Sequence, residues 1–172
     1  MKSGINLELK HRCEDFAPIR SLLRSINAKK VVVKKQKDFF FKLPPYEGAI
    51  VPRMKLRNEG ARQTLIYYKR PDFSKQKGAS AELALYAVSD KKLFPFLEHA
   101  LGVKSVVEKK RELWKKGNAV FHLDVVKGVG DIFEIEIQKK TALTKRDKEL
   151  FRYYADLFMP YLGNIVTGSN GD

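Results

Sequence analysis

Hydrophobic and polar residues alternate with a period of two along much of this chain, as they do in strands with one buried face. In residues 120–138, VFHLDVVKGVGDIFEIEIQ, two alternating runs flank a turn that contains Gly128 and Gly130. Glycine readily adopts the positive φ of a tight turn, so this stretch predicts a β-hairpin. Six further strands are predicted, at residues 5–10, 31–42, 51–57, 65–70, 82–88 and 106–114.

Three segments repeat their apolar residues every three or four positions, which is the spacing of one helix face. These predicted helices cover residues 15–27, 90–101 and 145–162, and an exposed loop is expected at residues 71–79. We find no internal repeat, low-complexity tract or linker, and 172 residues is the size of one domain. We therefore predict a single α+β domain, 1–172, with helices packed on the apolar face of a sheet.

Acidic side chains cluster on one face of the predicted hairpin. Glu134 and Glu136 point the same way, and pairing the two runs could bring Asp124 beside them. Crowded carboxylates repel one another unless a cation or basic side chains lie among them. One interpretation is therefore a site for a hard metal ion, and the alternative is the solvated outer face of an amphipathic strand.

Basic and acidic residues recur on one face of most predicted strands. The set comprises Glu8, Lys10, Arg53, Lys55, Arg57, Lys69, Glu82, Lys109, Arg111, Asp124, Glu134 and Glu136. If the strands closed into a barrel, these faces would line a polar lumen suited to a metal-bound polyphosphate. If the sheet stayed open, the charges would lie in water, where Lys and Arg on edge strands serve only to prevent aggregation.

Composition narrows the class of partner. The chain has 34 Lys and Arg against 20 Asp and Glu, a net charge of +14, so we expect an anionic partner. The first residues, MKSGINLELKHR, form no apolar signal segment, and no apolar run is long enough to span a bilayer. We accordingly expect a cytoplasmic protein with no membrane partner. Cys13 is the only cysteine, which excludes an intrachain disulfide and a cysteine-rich zinc site.

Six short motifs, in order, resemble those of the CYTH family, the class IV adenylyl cyclase and thiamine triphosphatase group of the triphosphate tunnel metalloenzymes. They are NLELK at 6–10, DFF at 38–40, RMKLR at 53–57, YYKRPD at 67–72, KKREL at 109–113 and HLDVVKGVGDIFEIE at 122–136. Each motif alone is weak evidence for the resemblance, but the order and spacing of the six motifs together are fairly specific to the family. The resemblance implies an eight-stranded antiparallel β-barrel that forms a triphosphate tunnel.

The resemblance also implies a ligand set. Mg²⁺ or Mn²⁺ would be held by Glu8, Glu134 and Glu136, with Asp124 as a further acid in that site. A triphosphate would be bound by Lys10, Lys55, Arg57, Lys69, Lys109 and Arg111, and we add Arg53 from the same basic strand. Lys69 and Glu136 are our catalytic candidates.

Two positions depart from the family pattern. Asn6 stands where the ExExK motif has its first glutamate, although one branch similar to this chain also begins with NxExK. The loss of this carboxylate should weaken the binding of a second metal ion more than the binding of the first. Phe39 and Phe40 lie where some family hydrolases carry a tyrosine, and the sequence does not show whether Tyr67 or Tyr68 can replace it.

Three functions remain open from the sequence. We expect a metal-dependent hydrolase of tripolyphosphate, thiamine triphosphate or a nucleoside triphosphate. A class IV adenylyl cyclase is the alternative, but the sequence reveals no adenine pocket. The third is a non-catalytic binder of polyphosphate or RNA. An RNA binder should display aromatic residues among exposed bases, and residues 39–41 are more typical of a core, so nucleic acid is not the expected partner.

Overall fold

Eight antiparallel strands close into a barrel in a computed structural model that describes residues 2–47, 50–71 and 79–166. The strands are β1 (Lys2–Arg12), β2 (Lys29–Phe41), β3 (Ile50–Glu59), β4 (Arg62–Pro71), β5 (Ala79–Val88), β6 (Val103–Lys116), β7 (Ala119–Val126) and β8 (Gly130–Lys139). Their order around the barrel is β1-β5-β4-β3-β2-β6-β7-β8. The predicted fold is therefore confirmed. Most of the loop expected at 71–79 lies outside the described residues.

Three helices accompany the barrel: α1 (Phe16–Ser25), α2 (Leu93–Leu101) and α3 (Lys145–Phe158). Each is shorter than predicted. Helix α1 begins at Phe16 because Asp15 is its N-cap and accepts a hydrogen bond from the Ala17 amide at 2.8 Å. Helix α3 ends at Phe158, where Pro160 lies within a 3₁₀ turn, Met159–Tyr161. Among the described helices, none is long and apolar enough to cross a bilayer.

The main hydrophobic core lies between helices α1 and α3 and the outer face of four strands, β1, β6, β7 and β8. Phe121 on β7 and Phe133 on β8 contact Phe158 of α3, with ring centroids 5.6 and 4.8 Å apart. All three rings are fully buried. On β7 and β8 the core residues Phe121, Leu123, Phe133, Ile135 and Ile137 point outward beneath the helices, and the polar residues between them, His122, Glu134 and Glu136, face the lumen.

The chain after α3 runs back along the end of β1. The Gly163 amide donates to the Arg12 carbonyl at 2.8 Å, and the Val166 amide donates to the Lys10 carbonyl at 2.9 Å. Val166 packs on a second apolar cluster, formed by Phe40, Val107, Val126 and Ile132. This segment thereby ties the last described residues to the first strand.

Candidate active site

The barrel encloses a cavity of about 920 Å³. Its charged lining residues are Glu8, Lys10, Lys34, Asp38, Lys55, Arg57, Lys109, Arg111, Lys115, Glu134, Glu136, Lys139 and Lys140. They belong to β1, β2, β3, β6 and β8, apart from Lys140, which directly follows β8. The prediction that charged strand faces line an enclosed lumen is confirmed for these residues.

Three buried carboxylates meet in the lumen. Glu8, Glu134 and Glu136 each offer an oxygen, and these oxygens lie within 4.8 Å of one another. The register between β1 and β8 creates the group, because Glu8 pairs with Glu136 and Lys10 pairs with Glu134. The Lys10 Nζ atom lies 3.7 Å from Glu8 and 3.5 Å from Glu134.

Three side chains contact the carboxylate of Glu136. Asn6 Nδ2 donates to its Oε1 at 3.1 Å, Gln138 Nε2 donates to its Oε2 at 2.8 Å, and His122 Nε2 lies 3.3 Å from Oε2. Burial alone would raise the pKa of Glu136, but the hydrogen bond with His122 and the charge of Arg111 lower it well below its usual range. The pKa of Glu134 is also lowered, because the charges of Lys10 and Arg111 outweigh its burial.

The donor set fits a hard divalent cation. Carboxylate oxygens are the ligands that Mg²⁺ and Mn²⁺ prefer, and lowered pKa values keep Glu134 and Glu136 ionised at neutral pH. The three oxygens also converge within a distance that one ion could bridge. Glu8, Glu134 and Glu136 could therefore hold such a metal.

Asp38 on β2 organises two bases of β3. Lys55 Nζ donates to it at 2.8 Å, and Arg57 donates through Nε and Nη2, each at 2.8 Å. Burial would raise the pKa of Asp38, but Lys55 and Arg57 hold it well below its usual range. Burial, aided by the charge of Arg57, lowers the pKa of Lys55 to about 7.

Asp124 on β7 accepts hydrogen bonds from two bases of β6 in the same way that Asp38 does from the bases of β3. Lys109 Nζ donates to it at 2.9 Å, and Arg111 donates through Nε and Nη2, each at 2.6 Å. Arg111 Nη2 also donates to Glu134 at 2.9 Å, so it links this ion pair to the three carboxylates. Burial, together with the charge of Arg111, lowers the pKa of Lys109 to about 8.

Three predicted site residues lie elsewhere. Asp124 is fully buried against Arg111 and Lys109 and is not in the carboxylate group of the described residues. Lys69 is exposed, because Ile66 and Tyr68 are the residues of β4 that line the cavity and Lys69 alternates with them. Arg53 shares the strand face of Lys55 and Arg57 but is not among the lining residues. Lys69 therefore lies outside the cavity, whereas Arg53 lies on the inward face of β3 but beyond the residues that line the cavity.

Sequence reasoning also missed contributors to the site. Asp38 was assigned no role within the DFF motif, although it alternates with Gln36 and Phe40, which line the cavity. His122 and Gln138 share strand faces with Asp124 and Glu136, so period two could have found them. Tyr67 and Tyr68 were the two candidates to replace the tyrosine of some family hydrolases. Tyr68 lines the cavity, whereas Tyr67 on the opposite face is exposed.

Comparisons with known proteins agree with this architecture. The family model described as CYTH domain matches residues 4–162. The structure of PH1012 from Pyrococcus horikoshii OT3 is 21% identical, covers 92% of this chain and 94% of that chain, and has a TM-score of 0.74. A provisionally assigned adenylate cyclase from Vibrio parahaemolyticus is 18% identical, with 91% and 86% covered and a TM-score of 0.63.

A third structure is HpAC1 from Hippeastrum, a provisionally assigned adenylyl cyclase described as having a dominant triphosphatase activity. It is 14% identical, covers 94% of this chain and 91% of that chain, and has a TM-score of 0.59. At these identities the three structures show a shared fold. No curated protein matches the chain by sequence.

Proposed function

Because this chain belongs to the CYTH family, we propose that it is an enzyme that hydrolyses triphosphates with Mg²⁺ or Mn²⁺. One observation carries the proposal: three converging carboxylates line the same enclosed lumen as a set of bases that includes Lys10, Lys55, Arg57, Lys109 and Arg111. Neither group alone would suffice, since bases alone bind phosphate and carboxylates alone bind metal. Together they suit a phosphate chain whose charge is shared between cationic side chains and a metal.

In this proposal Glu8, Glu134 and Glu136 hold the metal, which when bound neutralises charge on phosphate oxygens and polarises the phosphorus centre. Lys10, Lys55, Arg57, Lys109 and Arg111 bind the phosphate chain. Arginine is suited to this because its planar fork can donate two hydrogen bonds to one phosphate. Arg111 lies between the two groups through its contacts with Asp124 and Glu134, so it is placed to align the phosphate with the metal side.

Glu136 is proposed to orient the attacking water. Its pKa is well below the usual range, so it is ionised and accepts hydrogen bonds, but it is a weak proton acceptor. Accepting a hydrogen bond from water would fix the direction of attack on phosphorus. Lys69 has no part in this mechanism, because its side chain is exposed outside the lumen.

The second candidate reaction is cyclisation of ATP. It requires the ribose 3′-oxygen to be aligned with the α-phosphorus, and such positioning can supply on the order of 7–11 kcal/mol of a barrier. Hydrolysis needs only a small, freely diffusing nucleophile. The triphosphatase activity described for HpAC1 supports hydrolysis, and the provisional assignment of the Vibrio protein supports cyclisation.

The test is product analysis. ATP, tripolyphosphate and thiamine triphosphate are each incubated with the protein, with Mg²⁺ or with Mn²⁺. We expect release of phosphate or pyrophosphate with little cyclic AMP. Cyclic AMP as the main product, with tripolyphosphate inhibiting but not cleaved, would establish the cyclase instead. Tight binding of all three without turnover would identify a non-catalytic binder.

A further inference from the structure

Strand β2 extends beyond one of the two strands that flank it. It pairs with β6 along its length, Lys29–Phe41, but it pairs with β3 only over residues 37–40. Strand β3 ends at Glu59, where the chain turns into β4. No described strand therefore pairs with the second edge of residues 29–36, which we call the free edge.

The backbone of the free edge is arranged to accept another strand. A single shift in its register with β6 lies between Lys30 and Val32, and residues 32–36 are paired without interruption. Along a strand the backbone N–H and C=O groups point alternately to the two edges. About half of these groups in residues 32–36 therefore point away from β6, to the side on which no described strand lies.

The side chains of the free edge are exposed, although three of them are apolar. Val31, Val32 and Val33 are 55%, 39% and 42% exposed. Valine is favoured in strands because its branched side chain packs against neighbours on the pleated surface. An exposed strand edge with apolar side chains is a template for the addition of a further strand, so these valines indicate an interaction surface.

The charge at the free edge indicates the kind of partner. Lysines lie along it and opposite it on β6, namely Lys29, Lys30, Lys34, Lys35, Lys110 and Lys115. Lys30 pairs with Glu112 at 3.4 Å, and Lys34 pairs with Glu59 at 2.6 Å. Within the described residues, Lys29 and Lys35 have no ion-pair partner. The free edge therefore carries a surplus of positive charge that an acidic partner would neutralise.

A second copy of this chain does not fit the free edge. Antiparallel pairing of two free edges centred on Val32 would place Lys29 opposite Lys35 and Lys30 opposite Lys34. Like charges directly opposite each other in a sheet are destabilising. The lysines therefore protect this edge against self-association, and the same charges would attract an acidic strand.

Nucleic acid fits the charge of the free edge but not its other features. A nucleic acid strand offers no peptide backbone to pair with the N–H and C=O groups of β2. Single-stranded nucleic acid is usually bound by stacking of its bases on aromatic side chains. Residues 29–36 include no aromatic side chain, so the free edge favours a peptide.

We propose that the free edge binds an extended acidic segment of another protein, which adds to β2 as a strand. Main-chain hydrogen bonds would supply affinity, and alternate side chains of the segment would supply specificity. Its acidic side chains contact the lysines, and its apolar side chains cover the valines. This docking site is separate from the lumen and does not depend on the reaction proposed there.

The test uses a fluorescently labelled peptide of alternating Glu and Val, at neutral pH, where repulsion between its glutamates opposes self-pairing. We expect it to bind the protein, as measured by fluorescence anisotropy, and to slow hydrogen exchange of the backbone amides in residues 29–36. The same peptide with N-methylated amides keeps every side chain but cannot donate main-chain hydrogen bonds. It should bind at least about tenfold more weakly.

Lys35→Glu is compared with Lys148→Glu, which makes the same change in net charge on the exposed surface of α3. Lys35→Glu should weaken binding of the acidic peptide by about tenfold, whereas Lys148→Glu should weaken it by less than about twofold. Both lysines are exposed and outside the hydrophobic core, so both variants should melt close to the parent.

Four results would overturn the proposal. The parent protein might bind no acidic peptide, or the N-methylated peptide might bind equally well, which would show attraction by charge alone. Slowed exchange only outside residues 29–36 would place the peptide elsewhere. Protection of residues 29–36 that depends on protein concentration, or tighter binding there of oligouridylate than of the peptide, would identify a second copy or nucleic acid as the occupant.

Discussion

Arg57 and Asp38 face each other across β3 and β2 and form a bidentate ion pair, in which Nε and Nη2 each lie 2.8 Å from a carboxylate oxygen. Arg111 and Asp124 repeat the arrangement across β6 and β7 at 2.6 Å. Each arginine therefore already holds an anion before any phosphate arrives. In the proposed function a bound phosphate would share the guanidinium with that carboxylate, so the two acids would set both the position of the bases and the strength of phosphate binding.

Asp38→Asn should destabilise the free protein and strengthen its response to phosphate. The substitution keeps the side-chain volume but leaves Lys55 and Arg57 without their buried counter-charge, which typically costs roughly 3–5 kcal/mol. Tripolyphosphate would supply the missing negative charge. We therefore expect a lower melting temperature and a larger increase on adding tripolyphosphate than in the parent, measured in EDTA.

The control for Asp38→Asn is Glu108→Gln, which removes an exposed acid paired with Lys37 and Lys127 at the surface. Exposed pairs contribute little, so its melting temperature should stay close to that of the parent. An Asp38→Asn protein that responds to tripolyphosphate no more than the parent would show that phosphate does not reach Lys55 and Arg57.

Glu134→Gln should abolish metal-dependent turnover while the barrel stays folded. Glutamine keeps the shape of the side chain and an oxygen near Arg111, but it removes the charge of one proposed ligand. Hydrolysis is measured at saturating Mg²⁺, with Glu149→Gln on the exposed surface of α3 as the matched control. Full turnover in Glu134→Gln would exclude Glu134 from the metal site.

Asn6→Glu is the converse substitution. It restores the acid of the ExExK pattern beside Glu136, to which Asn6 now donates a hydrogen bond. We expect Mn²⁺ to bind roughly tenfold more tightly, since added ligand charge raises affinity. In EDTA the variant should be less stable than the parent, because a fourth carboxylate repels the others. A Mn²⁺ titration that coincides with that of the parent would place position 6 outside the coordination shell.

Phosphate affinity should fall as the pH rises through 7 and 8. The pKa of Lys55 is about 7 and that of Lys109 about 8, and a lysine is cationic only below its pKa. Both charges are therefore present at pH 6.5 and are progressively lost by pH 9. The dissociation constant for tripolyphosphate in EDTA should rise by up to about tenfold per pH unit for each lysine that loses its charge.

Lys55→Arg isolates the contribution of Lys55. Arginine stays protonated throughout this range, so the variant should show a flatter pH profile. Ionisation of tripolyphosphate affects the parent and the variant equally and cancels in the comparison. Parallel profiles would show that Lys55 does not lose its charge in this range.

Alternation with a period of two predicted the strands and the face on which each carboxylate lies. It did not predict the position of each carboxylate along the barrel axis. Pairing the two runs of the hairpin was expected to bring Asp124 beside the glutamates. The observed β7–β8 register pairs His122 with Glu134 and Asp124 with Ile132, which moves Asp124 one step towards Arg111. Register depends on how neighbouring strands and turns pack, so alternation within one strand does not contain it.

Lys69 illustrates a second limit. Alternation puts Lys69 on the same face of β4 as Leu65 and Tyr67, yet the lumen receives the opposite face, with Ile66 and Tyr68. Both faces of β4 carry aliphatic and aromatic residues, so hydrophobicity could not decide which face is inward. On β8 hydrophobicity does distinguish the two faces, because acids occupy one face and Phe133, Ile135 and Ile137 occupy the other.

The unequal backing of the barrel wall has a consequence for mutational tolerance. Helices α1 and α3 cover β1, β6, β7 and β8, the strands that carry all three glutamates and the Arg111 ion pair, whereas the described residues of β4 and β5 contribute nothing to that core. Substitutions on β4 and β5 should therefore leave the packing beneath the charged groups undisturbed, so that their cost in stability stays local.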